Sequence, residues 1–211
     1  HPRPNRLRTV LGLEAKNPAV ILPDADLDVA VSECIGGTLS FNGQRCTALK
    51  IILVHEWIAE AFVSRFCAAL NKLPAGMPWG AGVRLTPLPE ENKAQTLTAF
   101  VDDALAHGAK IVNPDGGQAT GTYFHPAVLF PVTSAMKVWN AEQFGPIIPI
   151  ATFRDLAEVD AFMQASPYGQ QISLFGRDPQ RLAALVDALV NQVSRININT
   201  QCRRGPDTFP F

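Results

Sequence analysis

The reactive side chains of this 211-residue chain include four cysteines, four histidines and a scatter of arginines. The stretch richest in chemistry is Gly43-Gln44-Arg45-Cys46-Thr47-Ala48. A cysteine attacks as its thiolate, and nearby positive charge favours that form. Arg45 supplies such charge in sequence, and Gly43 permits a sharp turn ahead of the thiol. No histidine lies close by, so a base for Cys46 has to arrive from elsewhere in the fold. The residues alone equally allow a partly buried structural thiol, because free cysteine is among the most buried residue types. No C-x-x-C pair occurs and the histidines lack metal-ligand spacing, so no structural zinc or other metal site is expected. Arg203 and Arg204 offer forked donors that suit phosphate oxygens, although charged loop pairs are commonly just solvated. Glu142, taken by itself, is a carboxylate in a turn before a strand.

The elements that must position these groups follow from periodicity. Ala19 to Leu22 is a brief apolar run closed by Pro23. Asp24 and Asp26 can then cap a helix carrying Leu27, Ala30, Val31 and Ile35 on one face. After the polar break at Phe41 to Cys46, Ile51 to Val54 predicts a buried strand. Ile58, Phe62, Phe66, Ala69 and Leu70 predict a second helix, and Leu97 to Leu105 a third, ended by Gly108. Lys110 to Val112, Ala127 to Phe130, Met136 to Trp139, Ile147 to Phe153, Ile172 to Phe175 and Ile196 to Asn199 are predicted strands. Helices capped by Asp155 and spanning Leu182 to Val190 separate the later ones. Cys34 and Cys67 fall in helix-like apolar surroundings, Cys202 in a basic, polar loop. Strands alternating with helices imply crossovers and a largely parallel sheet covered on both faces.

Composition sets the outer bounds. Hydrophobic residues make up 47% of the chain, ample for one core, and a domain this long buries roughly 70% of its unfolded surface. Lys plus Arg is 18 against 19 for Asp plus Glu, a balance that argues against nucleic acid as partner. No run reaches the roughly 18 apolar residues of a membrane helix, and His1 to Pro4 lacks the apolar stretch of a signal peptide. No membrane association is expected. The sparse cysteines suit a reducing cytoplasm. No G-x-G-x-x-G or P-loop sequence is present to cradle a pyrophosphate.

Two motifs carry a resemblance. Phe41-Asn42-Gly43-Gln44-Arg45-Cys46-Thr47-Ala48 resembles the F-x-G-Q-x-C-x-A nucleophile motif of the aldehyde dehydrogenase superfamily. Glu142-Gln143-Phe144-Gly145-Pro146 resembles its E-x-F-G-P cofactor motif, in the same order. Lys16-Asn17-Pro18 and Asp24-Ala25-Asp26-Leu27 match the segment that precedes the nucleophile. Arg204 to Phe211, R-G-P-D-T-F-P-F, resembles a segment of the non-phosphorylating, NADP-dependent glyceraldehyde-3-phosphate dehydrogenases, and Gln44 to Ala48 with Lys50 suits that group. The resemblance implies an α/β catalytic domain over residues 1–211, a mostly parallel twisted sheet with helices on both faces. It places the cofactor-binding domain and the oligomerisation strand outside the chain, and implies a cytoplasmic, homo-oligomeric parent.

The implied reaction is oxidation of a small aldehyde, glyceraldehyde 3-phosphate first, to its acid, with NADP or alternatively NAD as cofactor. Cys46 would form the thioester, its backbone N–H and an Asn from the other domain holding the oxyanion. Glu142 would bind the nicotinamide ribose, Phe144 would pack near the ring, and Arg45 and Arg204 would hold the phosphate. One departure matters. In the family's E-L-G-G-K the glutamate activates water, and the aligned position here is Gly12, in Gly12-Leu13-Glu14-Ala15-Lys16. Glu14 is the local substitute. Two rival readings stand beside this one: an aldehyde dehydrogenase for another anionic aldehyde, such as a semialdehyde, and a non-catalytic pseudoenzyme fragment. With no pyrophosphate cradle in its sequence, the chain alone is expected to give no measurable NADP reduction with glyceraldehyde 3-phosphate. A turnover assay showing robust reduction would overturn the single-catalytic-domain reading.

Overall fold

A computed structural model describes residues 12–204. The chain opens with β1 (Asn17–Ile21), buried along its whole length. Asp26 then caps α1 (Leu27–Leu39), its carboxylate accepting from the backbone N–H groups of Asp28 and Val29. Next come β2 (Leu49–His55), α2 (Ala59–Leu70) and, past a Pro- and Gly-rich connector, α3 (Lys93–Ala106). Short strands β3 (Lys110–Ile111), β4 (Ala119–Thr120), β5 (Tyr123–Phe124) and β6 (Ala127–Phe130) follow. The remainder is α4 (Lys137–Asn140), β7 (Ile147–Phe153), α5 (Leu156–Ala165), β8 (Gln171–Phe175), α6 (Pro179–Leu189) and β9 (Arg195–Ile198).

Seven strands pair in the order β3-β6-β7-β2-β1-β8-β9. All neighbours are parallel except β3, which runs antiparallel to β6. Strand alternation sorts the core onto two faces. Val20, Ile51 and Leu53 face α3, α5 and α6. Ala19, Ile21, Ile52 and Val54 face α1 and α2. Both faces are covered, as the near-continuous apolar strands require.

Three sequence expectations need correction. Met136 to Trp139, expected as a strand, lies instead in the short helix α4. Its first N–H, on Lys137, is accepted at 2.7 Å by the Asp103 carboxylate, a cap supplied by another helix. Cys202, expected in a polar loop, is 4% exposed, its sulfur 3.3 Å from the Ser173 hydroxyl. Burial pushes its thiol up to about 12. The β4–β5 hairpin was not predicted, because its strands are two residues each, too short to show an apolar alternation.

Phe62, on the inner face of α2, is fully buried, while Trp57 is 79% exposed. Phe62→Ala should therefore cost about 3–5 kcal/mol of stability. Trp57→Ala should stay within about 0.5 kcal/mol. Urea unfolding of both variants measures the contrast.

Candidate functional site

Open α/β sheets usually bind ligands beyond the carboxyl ends of their strands. Here the chemistry-bearing residues gather at the opposite edge. Lys16 and Asn17 enter β1, Cys46 precedes β2, Glu142 and Phe144 precede β7, Gln170 precedes β8 and Ser194 precedes β9. Because these five strands are parallel neighbours, their entry loops stand side by side.

The loop bearing Cys46 is tightly built. After α1 the backbone turns left-handed at Phe41 (φ 52°), Asn42 (φ 56°) and Gly43 (φ 73°). Non-glycine residues in that region cost about 1–2 kcal/mol each. Asn42 is pinned there by Thr86, donating to its carbonyl at 3.0 Å and accepting from its N–H at 3.1 Å. A Cβ on Gly43 would lie 2.7 Å from the Gly145 carbonyl oxygen and 2.8 Å from that of Thr38. Glycine is thus needed for the dihedral and for the approach of the two motif loops. Beyond the turn, Asn17 Nδ2 donates to the Cys46 carbonyl at 2.7 Å, to Ala48 O and to Gln170 Oε1. Its Oδ1 accepts from Gln171 N–H. The thiol of Cys46 is exposed.

Behind this turn lies a buried polar cluster. Lys50 is 1% exposed, and its Nζ donates to the Gly43 carbonyl at 2.5 Å. The same ammonium stands 3.4 Å from Glu142 Oε1 and 4.6 Å from the centre of the Phe144 ring. Lys93 approaches the same ring at 5.5 Å. Gln143 accepts from Lys16 Nζ at 2.8 Å and donates to the carbonyls of Lys50 and Ile147 at 2.9 Å. Burial lowers the amine of Lys50 to about 8, against which Glu142 acts. Burial, helped by the Lys50 charge, pushes Lys16 well below the ordinary lysine range.

Glu142 Oε1 is buried and accepts no hydrogen bond among the described residues. The Lys50 ammonium stands 3.4 Å from it. A buried acceptor without a donor suits a group that brings hydroxyls, as a ribose does. Glu142 and Phe144 could thus hold a hydroxyl-bearing group beside an aromatic face. Among the described residues no cluster of three or more His, Cys, Asp or Glu could hold a metal ion.

Two cavities adjoin beside Cys46, which lines the smaller of them. A smaller one, about 320 Å³, is lined by Cys46, Gln170, Ser194, Arg195, Arg203 and Arg204 among others. A larger one, about 730 Å³, shares Thr47, Arg195, Arg203 and Arg204 with it and adds Arg45 and Arg84. Arg204 thus borders both, whereas Arg45 lines only the larger. The Arg45 guanidinium donates to Ser40 Oγ at 2.9 Å and lies 5.1 Å over the Phe41 ring. Glu14 is exposed and accepts from the Tyr168 hydroxyl at 2.9 Å. It lines a third cavity with Gly12, which shares Gln170 and Ser194 with that of Cys46. Residues 205–211 of the R-G-P-D-T-F-P-F segment lie outside the described residues.

Sequence reasoning did not single out Asn17, Gln143, Arg84 or Arg195. Gln143 occupies the variable position of its motif and Asn17 sits beside a motif lysine, so both were within reach. Arg84 and Arg195 carried no local signal.

Comparison with known proteins agrees with this geometry. A profile of the aldehyde dehydrogenase family matches residues 4–211. The chain is 34% identical over 202 residues to an NADP-dependent glyceraldehyde-3-phosphate dehydrogenase of Streptococcus equinus, covering 96% of this chain and 41% of that protein. The crystal structure of the corresponding Bacillus halodurans C-125 enzyme, complexed with NADP, superposes with a TM-score of 0.87 at 35% identity, over 94% of this chain and 40% of that one. A succinate-semialdehyde dehydrogenase from Burkholderia pseudomallei gives 0.87 at 31% identity, over 94% and 41%. The chain thus spans about two fifths of the length of these relatives.

The buried lysine has a measurable consequence. Folding lowers Lys50 from 10.5 to about 8, so between those values the unfolded chain binds more protons. Stability from this group is complete above 10.5 and is lost as pH falls through 8. The difference in unfolding free energy between wild type and Lys50→Met should rise in favour of wild type by up to about 1.4 kcal/mol per pH unit in that window. Denaturation of both proteins across pH 7 to 10 measures it, and parallel curves would refute the burial effect.

Proposed function

The chain belongs to the aldehyde dehydrogenase family, and from that premise we propose that it carries the thiol chemistry of an NADP-dependent oxidation of a phosphorylated aldehyde. The observation that carries the reading is an exposed Cys46 on a turn packed against the loop of Glu142, whose buried oxygen lacks a donor.

Cys46 thiolate attacks the aldehyde carbon, forming a C–S bond while the carbonyl electron pair moves onto oxygen. The Cys46 backbone N–H, together with an Asn from the other domain of the parent, holds the oxyanion. Glu142 and Phe144 would hold NADP at its nicotinamide end, where it would accept the hydride that leaves the substrate carbon. Cys46 then carries the acyl group as a thioester. Glu14 is the base proposed to activate the releasing water, with the Tyr168 hydroxyl orienting its carboxylate. Arg204, on the wall of both cavities, and Arg45, in the larger, hold the phosphate through charge-assisted hydrogen bonds. Glyceraldehyde 3-phosphate is the substrate this arrangement favours. A semialdehyde is the second reading, because guanidinium holds a carboxylate by the same forked geometry and the Burkholderia enzyme is nearly as similar.

The thiol chemistry can be tested on the chain itself with p-nitrophenyl acetate, which needs no cofactor. Attack by Cys46 should release a burst of one equivalent of p-nitrophenolate, followed by slow turnover limited by deacylation. Cys46→Ala should abolish the burst; a burst retained in that variant rules Cys46 out as nucleophile. Glu14→Gln should slow the later phase about tenfold or more while leaving the burst. An unchanged slow phase removes Glu14 from the reaction.

A further inference from the structure

The larger cavity holds more positive charge than one phosphate needs. Five arginines, Arg45, Arg84, Arg195, Arg203 and Arg204, line its 730 Å³, and among the described residues no carboxylate does. Arg203 is balanced in part by Glu33, whose Oε2 lies 3.4 Å from its Nη2. The Arg45 guanidinium donates to the neutral Ser40 hydroxyl. Arg195 Nη1 donates at 2.8 Å to the Arg203 carbonyl, also neutral. The Arg84 guanidinium has no partner among the described residues. Like charges crowded into one concavity raise the local potential and draw in anions.

The arginines also divide in space. Arg195, Arg203 and Arg204 stand on the wall shared with the cavity of Cys46. Arg45 and Arg84 line the larger space and not that of Cys46. A three-carbon monophosphate held by Arg45 and Arg204 leaves the Arg195 guanidinium without a role, although its bond to the Arg203 carbonyl fixes it at the shared wall. A volume near 700 Å³ belongs to sites for far larger ligands.

Resting on the phosphate-binding reading above, we propose that the site takes a ligand with two anionic groups: a phosphate against Arg45, Arg84 and Arg204, and a second phosphate or carboxylate against Arg195 on the wall shared with the Cys46 cavity. Glyceraldehyde 3-phosphate fills only the phosphate half of such a site, and an aldehyde with a second anionic group fills both.

Calorimetric titration of the chain at constant ionic strength tests this with three probes of equal carbon length: propyl phosphate, 3-phosphooxypropanoate and propane-1,3-diyl bisphosphate. Wild type should bind at least one doubly anionic probe about tenfold or more tighter than propyl phosphate, and whichever is tighter identifies the second group. Arg195→Ala should erase that advantage while leaving propyl phosphate binding unchanged, and Arg195→Lys should restore part of it. Arg154, exposed and distant from both cavities, supplies the control for overall charge; Arg154→Ala should leave the ratio intact. Equal binding of all three probes by wild type, an unchanged ratio in Arg195→Ala, or an equal drop in Arg154→Ala would each overturn the second subsite. Failure of the phosphate reading looks different: propyl phosphate would then bind undiminished to Arg45→Ala and Arg204→Ala.

Discussion

One buried ammonium ties the site together. Lys50 reaches from inside β2 to the carbonyl of Gly43, the carboxylate of Glu142 and the face of Phe144. Its burial is costly, because a desolvated charge loses water that only well-placed partners replace. The partners come from both motif loops, so the ammonium is satisfied only when those loops are in register. Gln143 closes the same circuit from the other side, tying Lys16 to the backbone of Lys50 and Ile147. The position of Cys46 therefore depends on a polar cluster beneath it rather than on contacts to the thiol.

The closeness of the two loops has a steric half as well. Gly43 and Gly145 meet backbone to backbone, and a methyl on either would enter space already filled. On Gly43 the obstacle is the carbonyl oxygens of Gly145 and Thr38; on Gly145 it is the Leu97 side chain. Lysine attraction and glycine permissiveness act in the same direction, placing the exposed thiol beside the loop of Glu142. Strain at Phe41 and Asn42 is local, and the Asn42–Thr86 bonds that offset it anchor the turn to the connector before α3.

Electrostatics separates the two sides of the thiol. On the Glu142 side, charges are buried, paired and few. On the other, guanidinium groups line open cavities. Buried pairs fix geometry, whereas partly solvated arginines recruit anions without a large desolvation cost. Glu14 lies on neither side; its cavity shares only Gln170 and Ser194 with that of Cys46.

The residues by themselves determined the elements and the two motif loops. Asp26, Asp155 and Asp178 cap α1, α5 and α6 through bonds to N–H groups two and three residues on, and apolar period gave away the buried strands. Those signals act within a turn of helix or a strand width, so they survive in a linear reading. Where such signals were supplied from afar they were lost: α4 begins on a carboxylate 34 residues away, and Cys202 is buried by strands β8 and β9 that its own loop does not announce. The site was legible as motifs, not as geometry. Lys16 meets Gln143 across 127 residues and Gln143 meets Lys50 across 93, contacts fixed by strand order alone. Tertiary structure decided that five entry loops share the amino edge of the sheet, that Arg45 turns away from the thiol, and that Arg84 and Arg195 join it in one cavity. The reason is physical: parallel pairing aligns strand ends irrespective of sequence distance, and charge acts through space rather than along the chain.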